Sequence, residues 1–340
     1  MLRPLTAIAA TLLLAVAATM NVQAADAVRT FSFDYNASIA LPESGTGAVH
    51  VFIPLAATTD QQQVIAETIT ATIPGQVEVE DAYGNRYWHG SLEQSDGRPV
   101  EVTVSTTLER RGSRLAVPDG VTPVLDAAGR EEFAKFLESN ARVLVDDPIL
   151  QPILAEVRAA AGSDDPAVLG RAIYDWVVDN VEYKKVGTGW GNGDTYWACN
   201  ERYGNCTDFH ALFISLARTE SIPARFEIGF PVPTDRSEGT IGGYHCWVQY
   251  YLPGIGWFPI DASEAFKDPS KREFYYGSHP TDRIHFSTGR DLQLGADHRG
   301  APLNYFIYPH VEVDGKPWQG TIERTFSYRE LTPEALADAG

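Results

Sequence analysis

The most informative segment of the sequence reads Gly204-Asn205-Cys206-Thr207-Asp208-Phe209-His210-Ala211-Leu212-Phe213-Ile214-Ser215-Leu216. Its large apolar residues recur three and four positions apart, a spacing that predicts a buried α-helix; they are Phe209, Leu212, Phe213 and Leu216. Cys206 then lies at or near the first turn of this helix. The positive end of a helix dipole favours a thiolate over a thiol, which makes Cys206 a candidate nucleophile. Taken alone, a cysteine is more often a small buried apolar residue.

Two segments with strand character follow this helix. The run Tyr244-His245-Cys246-Trp247-Val248-Gln249-Tyr250-Tyr251 is β-rich, and Pro253-Gly254-Ile255-Gly256 after it predicts a turn. Trp257-Phe258-Pro259-Ile260-Asp261 predicts the return strand, so His245 and Asp261 are expected on neighbouring strands. Side chains alternate along a strand, so if His245 faces the helix, Cys246 is expected to face away. The pattern predicts one helix against a small antiparallel sheet.

These residue types suit nucleophilic catalysis when they are combined. A neighbouring imidazolium lowers the pKa of a thiol, and His245 is placed to supply one. Asp261 can orient the His245 ring through its other nitrogen. A histidine in a strand or an aspartate at a strand end is usually structural when it stands alone. Only the combination indicates a Cys206, His245 and Asp261 triad.

The same segments resemble the transglutaminase-like superfamily. The resemblance covers roughly residues 130–290 and lies in Gly204 to Phe209, Ser221-Ile222-Pro223-Ala224-Arg225, Gly229-Phe230, Tyr244 to Val248, Gly256-Trp257 and Pro259-Ile260-Asp261. It implies a papain-like fold with Cys206 as nucleophile, His245 as general base and acid, and Asp261 as the orienting partner. The implied reaction is acyl transfer, in which thiolate attack on an amide carbonyl gives a thioester that water or an amine resolves.

A tetrahedral intermediate in that reaction needs hydrogen-bond donors for its oxyanion. The backbone N–H of Cys206 is one candidate. The second candidates are side chains before the cysteine: Trp190, Tyr196 and Trp197. Packing of these aromatic side chains explains them at least as well. Arg283 and Arg290 are candidates for lining the cleft, although surface ion pairs explain them equally well.

The chain before the helical region has a different period. Residues 28–112 alternate apolar and polar side chains, as in Phe31, Phe33 and Tyr35, and predict an antiparallel β domain arranged as a sandwich. Gly and Pro at 110–120 mark a linker, after which the pattern is helical. We therefore expect an α+β protein with four parts: a signal peptide at 1–24, an N-terminal antiparallel β domain at 25–115, a papain-like transglutaminase-core catalytic domain at 116–295, and a C-terminal sheet extension and tail at 296–340.

Residues 1–24 carry the signals of export. Arg3 precedes an apolar run from Leu5 to Ala18, and Val22-Gln23-Ala24 fits a cleavage site. The run is shorter than the roughly 20 apolar residues of a membrane span, so the mature chain is expected to be periplasmic or secreted and without a span. The chain has 27 Lys+Arg, 45 Asp+Glu and a formal net charge of −18, which argues against nucleic acid as a partner. The oligomeric state is not indicated.

The sequence predicts no cofactor and no metal. Neither G-x-G-x-x-G nor G-x-x-x-x-G-K-[ST] can be placed on the glycine-rich loop at 186–193, and neither H-E-x-x-H nor an EF-hand loop occurs. The chain has three cysteines. With Cys206 kept as a free thiol, the other two form a hypothetical Cys199–Cys246 disulfide that braces the site. The rival hypothesis is a Cys199–Cys206 bond that blocks catalysis until it is reduced.

Three functions stay open at this point. The first is a cysteine peptidase or amidohydrolase that acts on protein or peptide substrates. The second is a protein-glutamine transglutaminase, which forms isopeptide bonds between Gln and Lys. The third is a non-catalytic cell-envelope binding protein on the same scaffold, and the presence of Cys206, His245 and Asp261 argues against it.

Overall fold

The computed structural model describes residues 27–117 and 120–332. The predicted signal peptide at 1–24, two linker residues at 118–119 and the tail from 333 lie outside the described residues. Within the described ranges the strands are β1 Val28–Ile39, β2 Val49–Pro54, β3 Gln62–Ala71, β4 Gly75–Val79, β5 Arg86–Leu92, β6 Val100–Arg111, β7 Ser113–Arg114, β8 Glu182–Tyr183, β9 Tyr203–Gly204, β10 Ala224–Pro231, β11 Glu238–Thr240, β12 His245–Leu252, β13 Gly256–Ile260, β14 Ser278–His279, β15 Arg283–Thr288, β16 His310–Val313, β17 Lys316–Pro317 and β18 Ile322–Glu330. The α-helices are α1 Ala127–Glu132, α2 Gln151–Ala161, α3 Pro166–Asn180, α4 Thr195–Glu201, α5 Cys206–Thr219 and α6 Ala262–Lys267.

The alternating N-terminal segment forms strands of two five-stranded sheets. Their strand orders are β11-β18-β1-β6-β3 and β17-β16-β2-β5-β4. In β1, Phe31, Phe33 and Tyr35 are buried while the polar residues between them are half-buried, which is the alternation that a strand with one core face requires. Strands β16 to β18 come from the C-terminal part of the chain, so both sheets combine the two ends of the described sequence.

A third sheet, in the order β13-β12-β10-β15, carries helix α5 on one face. Helix α5 is buried almost throughout, and its Phe213 ring lies 5.6 Å from the ring of Tyr250 in β12. At the edge of this sheet formed by β10 and β15, Phe33 of β1 contacts Phe230 and Phe286 at ring distances of 5.3 and 5.6 Å. The N-terminal sheet therefore packs directly against the sheet that holds His245. The predicted α+β class, with helices on a small antiparallel sheet, is confirmed.

Candidate active site

Cys206 is the first residue of α5 and is only 2% exposed. The helix begins there because Asn205 is an N-cap whose side chain accepts a hydrogen bond from the Thr207 N–H at 2.9 Å. Asp208 completes a capping box by accepting from the Asn205 N–H at 2.9 Å. The Cys206 N–H belongs to the first turn, which lacks intrahelical acceptors. The Cys206 sulfur and the Cys206 N–H therefore both lie at the positive end of a buried helix.

Asp261 lies between β13 and α6 and is held from several sides. Its Oδ2 is 2.6 Å from His245 Nε2 and 3.1 Å from Nη2 of Arg283. Its Oδ1 accepts hydrogen bonds from the Ser263 hydroxyl and the Glu264 N–H, both at 3.0 Å. Burial alone would raise the pKa of Asp261, but the charges of His245 and Arg283 lower it well below its usual range. Asp261 is therefore an ionised carboxylate in the core.

The sequence did not reveal the role of Arg283. Its guanidinium is 2% exposed and contacts Asp261, so a surface ion pair does not describe it. The sequence gives no signal of this contact, because β12 and β10 lie between β13 and β15 in the sheet and only the long side chain of Arg283 reaches Asp261.

Cys206 and His245 are mutually stabilised in their charged forms. Burial raises the pKa of Cys206, but hydrogen bonds from Cys246 and His245 outweigh it and hold the pKa well below its ordinary value. Burial lowers the pKa of His245, but Asp261 and Cys206 together raise it to about 10. Because Nε2 faces Asp261, Nδ1 is the ring nitrogen left for the sulfur. These two shifts favour the thiolate–imidazolium form of the pair.

The expectation that Cys246 turns away from the helix is wrong. Its Sγ lies 3.5 Å from His210 Nδ1 on α5, and it also hydrogen-bonds Cys206. Alternation does not separate His245 from Cys246 because His245 is the first residue of β12, where the strand meets the start of α5. The Cys199–Cys246 disulfide is likewise not formed: all three cysteines are free, and Cys199 lies on α4 beside Arg202. The rival Cys199–Cys206 bond is also not formed.

The three aromatic side chains expected near the oxyanion use their donors elsewhere. Trp190 Nε1 donates to the Gly187 carbonyl at 3.1 Å, and Trp197 Nε1 donates to the Tyr203 carbonyl at 2.8 Å. The Tyr196 hydroxyl donates to the Asp147 carboxylate at 2.9 Å, and its side chain is half exposed. None of these three donors is therefore free to point at Cys206.

The glycine-rich loop is attached to the start of α5. Asp208 accepts hydrogen bonds from the N–H groups of Gly191 and Gly193 at 2.7 and 3.0 Å. Arg290, which is buried, donates to the Gly193 carbonyl at 3.0 Å from the other side. Arg290, which was predicted to line the cleft or to form a surface ion pair, therefore holds the loop in place.

Tyrosines that the sequence analysis did not select line the site. The Tyr244 hydroxyl accepts from Asn205 Nδ2 at 3.0 Å, and the Tyr305 hydroxyl donates to the Gly191 carbonyl at 3.3 Å. Burial, followed by the charge of Cys206, raises the pKa of Tyr244. Tyr244 is next to the histidine in sequence, a signal that was available, whereas Tyr305 approaches only in the folded chain.

Two groups of side chains in the described residues could hold a metal by ligand type: His50, His89, Asp297, and His298, His310, Glu312. They lie on and beside β2, β5 and β16, in a different sheet from His245. Hydrogen bonds occupy His50 Nδ1, both ring nitrogens of His89 and Nε2 of His310, whereas the buried Nε2 of His298 has no hydrogen-bond partner among the described protein atoms. His89 Nδ1 lies 3.1 Å from Glu78, and its Nε2 lies 3.0 Å from His50 Nδ1. No sequence motif marked these residues, because they come from separate strands.

Comparison with known proteins identifies the fold. Residues 155–262 match the family model described as the Transglutaminase-like superfamily. A solved structure described as "a Putative Cysteine Protease" from Cytophaga hutchinsonii matches with a TM-score of 0.59 and 18% identity, over 90% of this chain and 92% of that chain. A protein of Haemophilus influenzae, described as "Uncharacterized protein", is 22% identical over 335 residues, which is 88% of this chain and 89% of that protein. The resemblance to the superfamily is confirmed for residues 155–262, and the structural match to the Cytophaga hutchinsonii protein extends the shared fold over 90% of this chain.

Proposed function

We propose that this chain, whose residues 155–262 match the transglutaminase-like superfamily, is a cysteine hydrolase that cleaves amide bonds in proteins or peptides. The observation that carries the proposal is the charged pair at the start of α5. The pKa of Cys206 is lowered in spite of burial, and the pKa of His245 is raised to about 10 in spite of burial. A purely structural cysteine in the same core would have a raised pKa, as Cys246 does.

The first half of the reaction forms a thioester. The Cys206 thiolate attacks the substrate carbonyl carbon, and a carbon–sulfur bond forms while the carbonyl oxygen becomes an oxyanion. The Cys206 N–H is placed to donate to that oxygen. His245 gives its proton to the departing nitrogen, the carbon–nitrogen bond breaks, and the amine leaves.

The second half restores the enzyme. Water attacks the thioester carbonyl and loses its proton to His245, and the carbon–sulfur bond breaks to release the acid and the thiolate. Asp261 keeps the ring oriented and stabilises the imidazolium through its 2.6 Å contact. Water is far more abundant than any amine around the site, which favours hydrolysis over amine transfer.

The test uses the chain from residue 25 with Gln-containing peptides and an unfolded polypeptide, with and without an added primary amine. Products are read by mass spectrometry. We expect cleavage or deamidation with the wild-type chain, none with Cys206→Ala, and unchanged activity with Cys199→Ala. Cys199 is the matched control because it is also free and buried but lies on α4.

Other outcomes decide between the alternatives. Amine adducts in place of hydrolysis would make the protein a transglutaminase. Identical mass spectra for wild type and Cys206→Ala across the substrate panel would contradict catalysis and favour a binding protein.

We also propose export, on the basis of the signal-like residues 1–24. None of the helices in the described ranges has the length and apolar character to cross a membrane. The mass of the protein recovered from expressing cells tests the proposal. A product beginning near Ala25 in the periplasm or medium is expected, and an intact N-terminus in the cytoplasm would contradict it.

A further inference from the structure

A polar cavity of about 290 Å³ lies behind the sheet that carries His245. Its wall includes Arg225, Glu227 and Gln249, which alternate with residues that pack on α5 and so project from the opposite face of that sheet. Arg110, His279 and His285 line it as well. The cavity is therefore separate from the Cys206 sulfur and draws residues from β6, β10, β12, β14 and β15.

Several buried polar atoms around this cavity have no hydrogen-bond partner among the described protein atoms. In the buried residues of the wall they are Nη2 of Arg110, both ring nitrogens of His279, and Nδ1 of His285. The three side chains are 1%, 2% and 5% exposed. Buried polar atoms are satisfied in the great majority of cases, so this concentration indicates a polar occupant.

The charged side chains of the wall are Arg110, Arg225 and Lys135 against Glu227 and Asp60, which leaves one positive charge and favours a negative occupant. Arg110 donates through Nε to the Pro280 carbonyl at 3.3 Å, and within the described ranges no carboxylate forms an ion pair with it. The one buried carboxylate in the wall, Glu227, is already engaged by Arg225 at 3.0 Å and by Trp247 and Gln249 at 2.6 Å. A buried guanidinium without an anion is costly, so the fold leaves one positive charge to be matched.

The hydrogen positions add a second requirement. His285 Nε2 lies 3.1 Å from the Ser287 carbonyl, which can only accept, and 3.1 Å from the Thr288 hydroxyl, which can accept as well as donate. The carbonyl contact requires the hydrogen on Nε2, which makes Nδ1 an acceptor. The occupant must therefore accept from Arg110 and donate to His285. An oxyanion that carries its own hydroxyl meets both requirements.

We propose that this cavity binds a small hydroxyl-bearing oxyanion of the phosphate class, with Arg110 as its main positive contact and His285 as acceptor. Arg110 and an anion form a charge-assisted hydrogen bond, which is about twice as strong as a neutral one. His279 supplies one further donor from its ring. The proposal is independent of the reaction at Cys206.

The probe is inorganic phosphate, with sulfate as the isosteric anion that lacks a hydroxyl at neutral pH. Isothermal titration calorimetry and thermal unfolding are run on the chain from residue 25 at constant ionic strength set with sodium chloride. We expect phosphate to raise the unfolding temperature and to bind more tightly than sulfate. In Arg110→Gln we expect phosphate affinity to fall roughly tenfold to a hundredfold, the worth of one charge-assisted hydrogen bond. Arg98→Gln removes an exposed arginine outside the cavity and should change nothing.

Some results would overturn the proposal. The absence of phosphate binding, or equal stabilisation of wild type and Arg110→Gln, would mean that water alone satisfies the cavity. Equal affinity for sulfate would remove the acceptor role of His285. Should Arg110→Gln fail to fold, His279→Gln takes its place, and undiminished phosphate affinity in that variant contradicts the proposal.

Discussion

The three cysteines occupy three electrostatic environments. Cys206 lies at a helix start beside an imidazolium, and its pKa is lowered. Burial raises the pKa of Cys199 to about 11, with only a partial opposing effect from Arg202. Burial also raises the pKa of Cys246, which acts as a donor to the Cys206 sulfur. The pKa of the same side chain is therefore lowered in one position and raised in the other two.

This contrast predicts the pH dependence of alkylation. Between pH 6 and 8, the rate for Cys206 with iodoacetamide should rise less steeply than for an ordinary thiol, because its lowered pKa favours the thiolate. The rate for Cys199 should rise about tenfold per pH unit, because its thiol titrates above this range. Peptide mapping by mass spectrometry after short exposures measures both rates in one sample. Parallel slopes for the two cysteines would show that Cys206 is not a thiolate.

A second prediction concerns the carboxylate behind the histidine. Asp261→Asn keeps an oxygen acceptor but removes the charge that most raises the pKa of His245. The pKa of His245, about 10 in the wild type, should fall toward its ordinary value near 6.5. NMR titration of labelled imidazoles reports this directly.

Glu264→Gln is the control for that experiment. Glu264 lies 3.9 Å from the same ring nitrogen but is engaged by Lys267 at 2.6 Å. Its removal should leave the titration of His245 nearly unchanged. An equal fall of the His245 pKa in both variants would mean that Asp261 has no special role.

The neighbourhood of Cys206, His245 and Asp261 was predictable because each residue stands at a boundary that periodicity defines. Cys206 begins helix α5, His245 begins strand β12, and Asp261 directly follows strand β13. The contacts of Asp261 with Arg283 at 3.1 Å and with His210 Nε2 at 3.6 Å were not predicted, because they depend on how far these side chains reach in the folded chain. The free state of Cys199 was missed because a cysteine count gives no distance between thiols.

Among the elements, the glycine-rich loop before α4 and the helix α5 form one unit. Asp208 ties Gly191 and Gly193 to the helix, and it also belongs to the cap of that helix. The glycines of this loop, taken alone, favour a flexible backbone. The structure differs, because a buried carboxylate and a buried arginine hold its backbone on two sides.

Two glycines of this loop provide a matched pair of substitutions. Gly187 and Gly193 both have positive φ, at 72° and 59°. A Cβ at Gly187 meets no atom within 4 Å, whereas at Gly193 it would lie 2.7 Å from Arg290 Nη1 and 3.0 Å from the Thr207 carbonyl oxygen. Gly187→Ala should cost about 1–2 kcal/mol from backbone strain alone. Gly193→Ala should cost roughly 1 kcal/mol more, because the added methyl must displace its neighbours.

Urea unfolding of both variants measures the difference. Equal free energies of unfolding would show that the loop backbone moves freely away from α5, contrary to the anchoring described for it.

For the whole molecule, the outer sheets join the two ends of the described chain. β1 pairs with β6 on one side and with β18 on the other, with Phe31 opposite Glu330. The alternating pattern of residues 28–112 indicated strands, but it could not show that β18 would be their neighbour. Pairing between segments this far apart in sequence leaves no local signal.

This topology predicts that residues 25–115 do not fold alone. Without β18, one edge of β1 is unpaired, and its buried Phe33 loses the contact with Phe230. The isolated fragment should show no cooperative thermal transition by circular dichroism, whereas residues 25–332 should show one. A cooperative transition in the short fragment would establish an independent domain.

Buried neutral histidines should make the protein sensitive to acid. Burial lowers the pKa of His210 from 6.5 to about 4. An unfolded chain binds this proton below pH 6.5 while the folded chain does not, so stability is complete above pH 6.5 and falls as the pH drops to about 4. His210 alone should account for roughly 3 kcal/mol of that loss.

The contribution of His210 is tested by measuring the free energy of unfolding in urea at pH 7.5, 5.5 and 4.5 for the wild type and for His210→Gln. The variant should lose less stability on acidification than the wild type, whatever its stability at pH 7.5. The same pH slope in both proteins would assign acid sensitivity to other groups.

The pairing of β1 with β18 also determines when the nascent chain can complete its folding. The ribosome makes β1 early, but the strand that closes its second edge emerges only after nearly 300 further residues. Until then a long strand with an apolar face has an unpaired edge that can recruit other chains. Folding dominated by such distant contacts is slow. A nascent chain of this topology therefore depends on being shielded until its last strand arrives.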